Sequence, residues 1–324
     1  MVTGGSGFIG SHVVERLAAQ GHDPCIYDLV PPRYACAWPV EVVIGDIGDV
    51  GAFRRALRGC DAIVHLAAVA DVNDAAADPS HADLVNARGT ALVLQAAREV
   101  DVPRVVYAST IWVYGNSPAT TLLDEDTLLP APDHFYTATK LAGEMYCRAY
   151  AQLYGLEPTI LRFGIPHGPR SRKATVVATF VARALDGLAL RIMGDGTQAR
   201  QFVYVEDLAE GVVAALRPSA AGRTYNLVGE EAVSVREVAE IVRRLVANVP
   251  IVHVASRPAD LHRAEISGLR AWNELDWLPP TSFEEGVRRY TSWLAETSVS
   301  PLAAARASTD GSAAAVLLQE PGAL

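Results

Sequence analysis

Tyr136 and Lys140 stand four residues apart in Tyr136-Thr137-Ala138-Thr139-Lys140, a spacing that puts a phenol and an ammonium on one face of a helix. A phenol with a free pKa of about 10 is a poor base near neutrality. A nearby cation favours its ionised form, and the phenolate can then take a proton from a hydroxyl. Such a pair recurs by chance, so a third group is needed to give it meaning. Ser109-Thr110 follows the apolar run ending at Tyr107 and precedes Val113-Tyr114-Gly115. A hydroxyl at that strand end can hydrogen-bond the same substrate oxygen and help to position it.

The start of the chain offers a partner for this chemistry. Gly4-Gly5-Ser6-Gly7-Phe8-Ile9-Gly10 spaces glycines as GxxGxxG between a short apolar stub and a helical pattern. Gly4, Gly7 and Gly10 permit a tight turn and the close approach of a diphosphate, whose charge then sits at the N-terminus of the helix that Phe8 and Ile9 open. Asp28 ends the next apolar run, where a carboxylate accepts hydrogen bonds from an adenosine ribose and repels a 2′-phosphate. NAD is therefore favoured over NADP. Asp46 and Ile47, after the third run, are placed to meet the adenine, although an aspartate there also suits an ordinary turn. A nicotinamide ring would accept hydride while Tyr136 takes the proton, and its charge would add to that of Lys140 in lowering the phenol pKa.

Elements must hold these residues in place. Residues 25–27, 40–44, 62–66, 105–107 and 159–163 read as buried strands, and 9–19, 50–57, 82–100 and 136–154 as helices between them. That alternation predicts an α/β fold of Rossmann type, a doubly wound parallel sheet. Past residue 164 the rhythm loosens into helices at 175–185, 206–216 and 235–246 and a strand at 251–254. The expected division is a Rossmann domain with the catalytic pair over 1–164 and a smaller mixed α/β lobe, mainly for substrate, over 165–296. From Thr297 the composition turns to Ala, Ser, Thr and Gly, which predicts a flexible tail over 297–324 with one helical turn near Val316. Only Met1, Val2 and Thr3 precede Gly4, so either the first strand is curtailed or the true start lies upstream.

Composition narrows the function classes. A net charge of −9 argues against nucleic acid as a partner, so an anionic ligand must be held by a few local arginines. No run of about 18 apolar residues could span a membrane. The four cysteines, Cys25, Cys36, Cys60 and Cys147, are too scattered for a metal knuckle or a redox dithiol, so no metal is expected and the cytoplasm is the expected location.

The chain resembles the extended short-chain dehydrogenase/reductase family of NAD-dependent sugar-nucleotide epimerases and dehydratases, in the manner of UDP-glucose 4-epimerase. The resemblance runs from residue 1 to about 296. It rests on the glycine turn, His65-Leu66-Ala67-Ala68, Asn86 with Gly89-Thr90, Ser109 to Gly115, the Tyr/Lys pair, Leu161-Arg162-Phe163, Gly194-Asp195-Gly196-Thr197 with Arg200, Asp207, and Arg257-Pro258-Ala259-Asp260. By that resemblance Thr110, Tyr136 and Lys140 are catalytic, and Leu66, Ala67, Ala68 and Asn86 line the cofactor site beside Tyr136 and Lys140. Asn86 also suits a plain helix position, and His65 receives no chemistry. Arg200 and Arg257 become diphosphate clamps, with Asp260 near the nucleotide ribose; without the resemblance both arginines would read as surface residues. Arg170, Arg172 and Lys173 read as a solvated basic loop. The helices at 82–100 and 136–154 resemble those that pair two subunits as a four-helix bundle, which implies a homodimer.

Three departures from the family pattern bear on reaction type. Dehydratases of the family carry an Asp-Glu pair after the threonine, and related decarboxylases a glutamate just before Val-Tyr-Gly; here Ile111 and Trp112 occupy the two positions. Neither can move a proton. Ile165 stands where many 4-epimerases have an asparagine that helps to hold the nucleotide. Trp112 can stack on a sugar or narrow its pocket. The expectation is an epimerase acting by transient oxidation of a ring carbinol, C4 in particular. An NAD(P)H-dependent 4-ketoreductase of a nucleotide deoxysugar is the alternative, and a non-catalytic dinucleotide sensor the third reading.

Overall fold

The structure, a computed structural model, describes residues 1–115, 122–255 and 265–309, with side chains through 297. The first half alternates as expected: β1 Val2–Thr3, α1 Phe8–Ala19, β2 Cys25–Asp28, β3 Glu41–Ile44, α2 Val50–Leu57 and β4 Ala62–His65. Two short helices, α3 Val72–Ala77 and α4 Pro79–Ala82, then lead through a π-helical stretch, Asp83–Arg88, into α5 Gly89–Glu99. After β5 Arg104–Thr110 come a 3-10 turn at Ile111–Tyr114, β6 Leu122–Leu123, α6 Phe135–Tyr154 and β7 Glu157–Phe163. Gly155, in the left-handed region at φ 70°, ends α6.

The second half adds β8 Ile165–His167, α7 Val176–Leu185, β9 Leu190–Met193, β10 Ala199–Tyr204 and α8 Val205–Ala214. It continues with β11 Thr224–Leu227, β12 Ala232–Ser234, α9 Val235–Leu245, β13 Ile251–Val254, β14 Glu265–Ile266, α10 Leu269–Leu275 and α11 Phe283–Thr309.

Seven strands form one parallel sheet in the order β11-β7-β5-β4-β1-β2-β3. Chain order reverses between β1 and β4, which makes the carboxyl ends of those strands the place for a ligand. Successive residues feed opposite cores, as two-sided burial of a parallel strand requires. Val64 and Val106 pack with Val13, Val14 and Leu17 of α1, while Ile63, Val105 and Tyr107 pack with Phe53 and Leu57 of α2 and Leu94 of α5. Each such side chain contributes about 1.5–3 kcal/mol by leaving water.

The chain after 164 does not stay in the smaller lobe. Leu208 and Val212 of α8 share the core of α1, and β11 extends the large sheet beside β7. The smaller lobe has its own core, with Val177, Val181, Ile192, Phe202, Val238 and Val242, over the short sheets β12-β10-β8 and β13-β9. The expected start of a flexible tail at 297 falls inside α11, in keeping with the helix propensity of a stretch that holds Ala303, Ala304 and Ala305. Val316 and the rest of that expected tail lie outside the described residues. No helix among the described residues is long and apolar enough to cross a membrane.

Candidate active site

The glycine turn joins β1 to α1 at the reversal point. Gly4 takes φ 71°, and a Cβ on Gly10 would come within 2.1 Å of the Gly4 carbonyl oxygen. Glycine is therefore required at both positions. Gly7 caps α1 without any side-chain partner and is exposed, so the helix N-terminus is open to an anion. Asp28 reaches back to this turn, accepting the Ser6 N–H at 3.0 Å and the Val30 N–H at 3.3 Å. The turn and the Asp28 carboxylate thus form one hydrogen-bonded unit, a cradle that fits a dinucleotide.

Around it stand the other residues that the sequence nominates. Asp46 is exposed and its carboxylate accepts from the Gly48 N–H at 2.7 Å, while Ile47 is buried against the α2–α5 core. Leu66, Ala67 and Ala68 follow β4 and are partly exposed. Asn86 is buried, and its amide is wholly engaged: Oδ1 accepts from Val69 N–H at 2.8 Å, and Nδ2 donates to Val69 O and Thr139 Oγ1, both at 3.0 Å. It ties the loop after β4 to α6 from behind. His65 bridges Thr3 and Thr90, and burial pushes its pKa down to about 3. A neutral structural histidine is the result.

The three residues that the sequence nominates as catalytic lie at the carboxyl end of β5. Three successive strand residues grip three residues of α6 spaced one turn apart. The Thr110 hydroxyl lies near enough to the Tyr136 phenol to favour its ionised form. Lys140 Nζ donates to the Ala108 carbonyl at 2.8 Å. Ser109 Oγ donates to Glu144 Oε1 at 2.6 Å. Of the two neighbouring hydroxyls, Thr110 faces the phenol and Ser109 is used internally.

The electrostatics differ from the expectation. Burial pushes the Tyr136 phenol up to about 12, because a desolvated phenolate is costly; the Arg172 charge and the Thr110 hydroxyl oppose this without cancelling it. Burial also lowers Lys140 to about 8. The lysine turns its ammonium to a backbone carbonyl, so Arg172 is the cation that acts on the phenol.

Arg172 is held there by Ala70 O at 3.3 Å, with Asp71 at 3.9 Å. Arg170 pairs with Glu15 at 2.7 Å and lies over the Tyr34 ring. Arg170 is thus anchored against the Rossmann side, whereas Arg172 and Lys173 remain exposed, as a solvated loop would be.

Trp112 packs beside Tyr136, Val69 and Val72, and Arg200 lies over its ring at 5.7 Å. Ile111 turns the other way, into a core with Val113, Tyr114 and Leu123. Ile165 lies at the start of β8, paired with Phe202. Arg257 and Asp260 lie outside the described residues.

Residues 1–228 match the family described as NAD dependent epimerase/dehydratase. The chain belongs to that family. It is similar to a UDP-glucose 4-epimerase of Mycolicibacterium smegmatis, 32% identical over 89% of this chain and 96% of that one. It resembles the structure of a Thermotoga maritima UDP-glucose 4-epimerase with UDP-glucose, with TM-score 0.85, 27% identity and coverage of 91% and 98%. The Streptomyces venezuelae dTDP-glucose 4,6-dehydratase DesIV, with NAD bound, matches at TM-score 0.84 and 33% identity, covering 91% and 96%. NAD is the cofactor of this epimerase/dehydratase family.

Three residues of this family member escape a reading by motif. His134 caps α6 by accepting the Thr137 N–H at 3.3 Å, and its ring packs on Trp112 and Tyr136. Histidine is an unusual cap, so nothing in the sequence marked it. Glu144 continues the 136, 140 spacing by one more turn, a signal that was available. Arg172 was read only as part of a basic loop, since the fold alone brings its charge to bear on Tyr136.

Proposed function

We propose that the chain is an NAD-dependent epimerase of a nucleotide-activated sugar, acting by transient oxidation of the C4 carbinol with Tyr136 as base. The observation that carries this reading is the meeting of Thr110, Tyr136 and Lys140 in a site where positions 111 and 112 offer no proton donor or acceptor. Elimination of water or loss of a carboxylate would ask for a further acid or base there. NAD, when bound, supplies a hydride acceptor that becomes the donor on return, and a positive ring.

Gly4, Gly7, Phe8, Ile9 and Gly10 would hold the diphosphate, and Asp28, Asp46 and Ile47 the adenosine. Leu66, Ala67 and Ala68 would flank the nicotinamide half, with Asn86 fixing their loop. Thr110 would hydrogen-bond the reacting oxygen while Tyr136 removes its proton, and Lys140 would contact the nicotinamide ribose. Trp112 would form a wall of the sugar pocket, Arg200 would bind the diphosphate and Ile165 would line the nucleotide. The cytoplasm remains the proposed location.

Incubating purified protein with a panel of nucleotide sugars, with and without added NAD or NADH, tests the reading. Interconversion of two epimers without added reductant is expected. A requirement for stoichiometric NADH would identify a 4-ketoreductase instead.

Asp28 gives a second expectation. NAD is expected to bind at least about tenfold more tightly than NADP, because a 2′-phosphate would approach an anion already fixed at the turn. Asp28→Ala should narrow the gap when both dissociation constants are measured by titration. Equal affinities in the wild type would remove this role.

Assembly is proposed as a homodimer through α5 and α6, which leave Leu84 of the adjoining π-helical stretch, Met145 and Leu153 exposed. Light scattering at micromolar concentration is expected to give twice 34.6 kDa. A monomer would refute the proposal.

A further inference from the structure

Glu144 and Arg162 form a buried ion pair one helical turn beyond Lys140. Glu144 is 0% and Arg162 1% exposed. The guanidinium meets the carboxylate in two places, Nε to Oε1 at 3.0 Å and Nη2 to Oε2 at 2.8 Å. A bidentate pair of this kind fixes orientation as well as distance. Burial alone would lower the Arg162 pKa, but the hydrogen bonds and charge of Glu144 raise it above the ordinary arginine value.

The pair is the middle of a row that crosses the sheet beneath the site. Ser109 on β5, Arg162 on β7 and Asn226 on β11 are register neighbours. Ser109 donates to Glu144, and Arg162 Nη1 donates to the Tyr114 hydroxyl at 2.8 Å. That hydroxyl in turn donates to Asn226 Oδ1 at 2.8 Å. Every member is satisfied, the condition under which a buried polar network holds one geometry. Ser109 lies between Ala108, which receives Lys140, and Thr110, which meets Tyr136. A shift of α6 along β5 would therefore break all three contacts together.

We propose that Glu144 and Arg162, with Ser109, are positioning residues that set the register of α6 on β5 and so hold Lys140 on Ala108 and Tyr136 on Thr110. They touch neither substrate nor cofactor. Their effect on turnover rests on the reading of Tyr136 and Lys140 as catalytic, but their effect on Lys140 does not.

The chain has two lysines, Lys140 and Lys173, so lysine-labelled protein gives an NMR titration in which Lys140 is readily followed. In the wild type the Lys140 signal is expected to titrate at about 8, where burial holds it. Two variants are compared: Ser109→Ala, which removes one hydrogen bond, and the double variant Glu144→Met with Arg162→Met. Replacing both buried charges by apolar groups of similar size avoids an orphaned ion. In each folded variant the Lys140 midpoint is expected to rise by about half a unit or more as the ammonium gains water. Turnover should fall about tenfold with KM near the wild-type value, as expected for misplacement of reacting groups. Unfolding midpoints are recorded in parallel.

A Lys140 midpoint that stays at the wild-type value in every folded variant would overturn the proposal and leave the pair as core filling. If the double variant does not fold, Ser109→Ala decides alone. Should Lys140 move while the wild type converts no nucleotide sugar, the positioning role stands and the functional reading falls.

Discussion

Tyr136→Phe is expected to retain NAD affinity within about threefold and to lose about a hundredfold to ten-thousandfold of turnover, the ordinary cost of deleting a general base. The ring remains to pack on Trp112, Val69 and Ala75, so the change removes one oxygen beside Thr110. The pH profile sharpens the expectation. Burial raises the phenol to about 12 without cofactor, and activity needs the phenolate, so the rate should rise with pH through a limb that Tyr136→Phe lacks. Bound NAD adds positive charge and should bring that limb lower. Arg172→Ala removes a charge that favours the phenolate, so its limb should move to higher pH. Steady-state rates of the three proteins across pH check this. Near-normal turnover by Tyr136→Phe would make the mechanism wrong, whatever the fold.

Gly10→Ala is expected to abolish NAD binding, with affinity reduced about a hundredfold or more. A Cβ would lie 2.1 Å from the Gly4 carbonyl oxygen and 2.8 Å from the Gly5 Cα, and both are backbone atoms of the turn itself. No side-chain rotation relieves such a contact. The turn must open, and with it the N–H groups that would face the diphosphate lose their common centre. Isothermal titration with NAD measures the loss, and circular dichroism shows whether the sheet persists. Unchanged affinity in a folded variant would mean that the diphosphate binds elsewhere.

Much of this was legible because parallel strands announce themselves. Residues 62–66 and 159–163 are mostly apolar runs that must be buried on both faces, and the strands found are Ala62–His65 and Glu157–Phe163. The helix expected at 82–100 begins instead as a π-helical stretch that brings Asn86 onto Val69 and Thr139. Apolar periodicity carries no signal for the wider turn. β10 and β11 were missed because each is partly polar, with Arg200 and Gln201 in one and Thr224 and Asn226 in the other. The site followed the same rule. Tyr136, Lys140 and the glycine turn are local patterns and could be read directly. Arg172 reaches Tyr136 from the loop between β8 and α7, and the distinction between Ser109 and Thr110 depends on which hydroxyl the buried Glu144 takes. The raised phenol pKa was missed for a related reason: desolvation is a property of the packed site and outweighs the charges that a sequence displays.

In the proposed reaction one carbon is oxidised and reduced again within a single turnover. A nucleotide sugar carrying deuterium at C4 tests it, with the products followed by NMR. The epimer is expected to form without added NADH and to keep its deuterium at C4. A 6-deoxy-4-keto product, or an epimer whose C4 hydrogen comes from added NADH or from solvent, would contradict it.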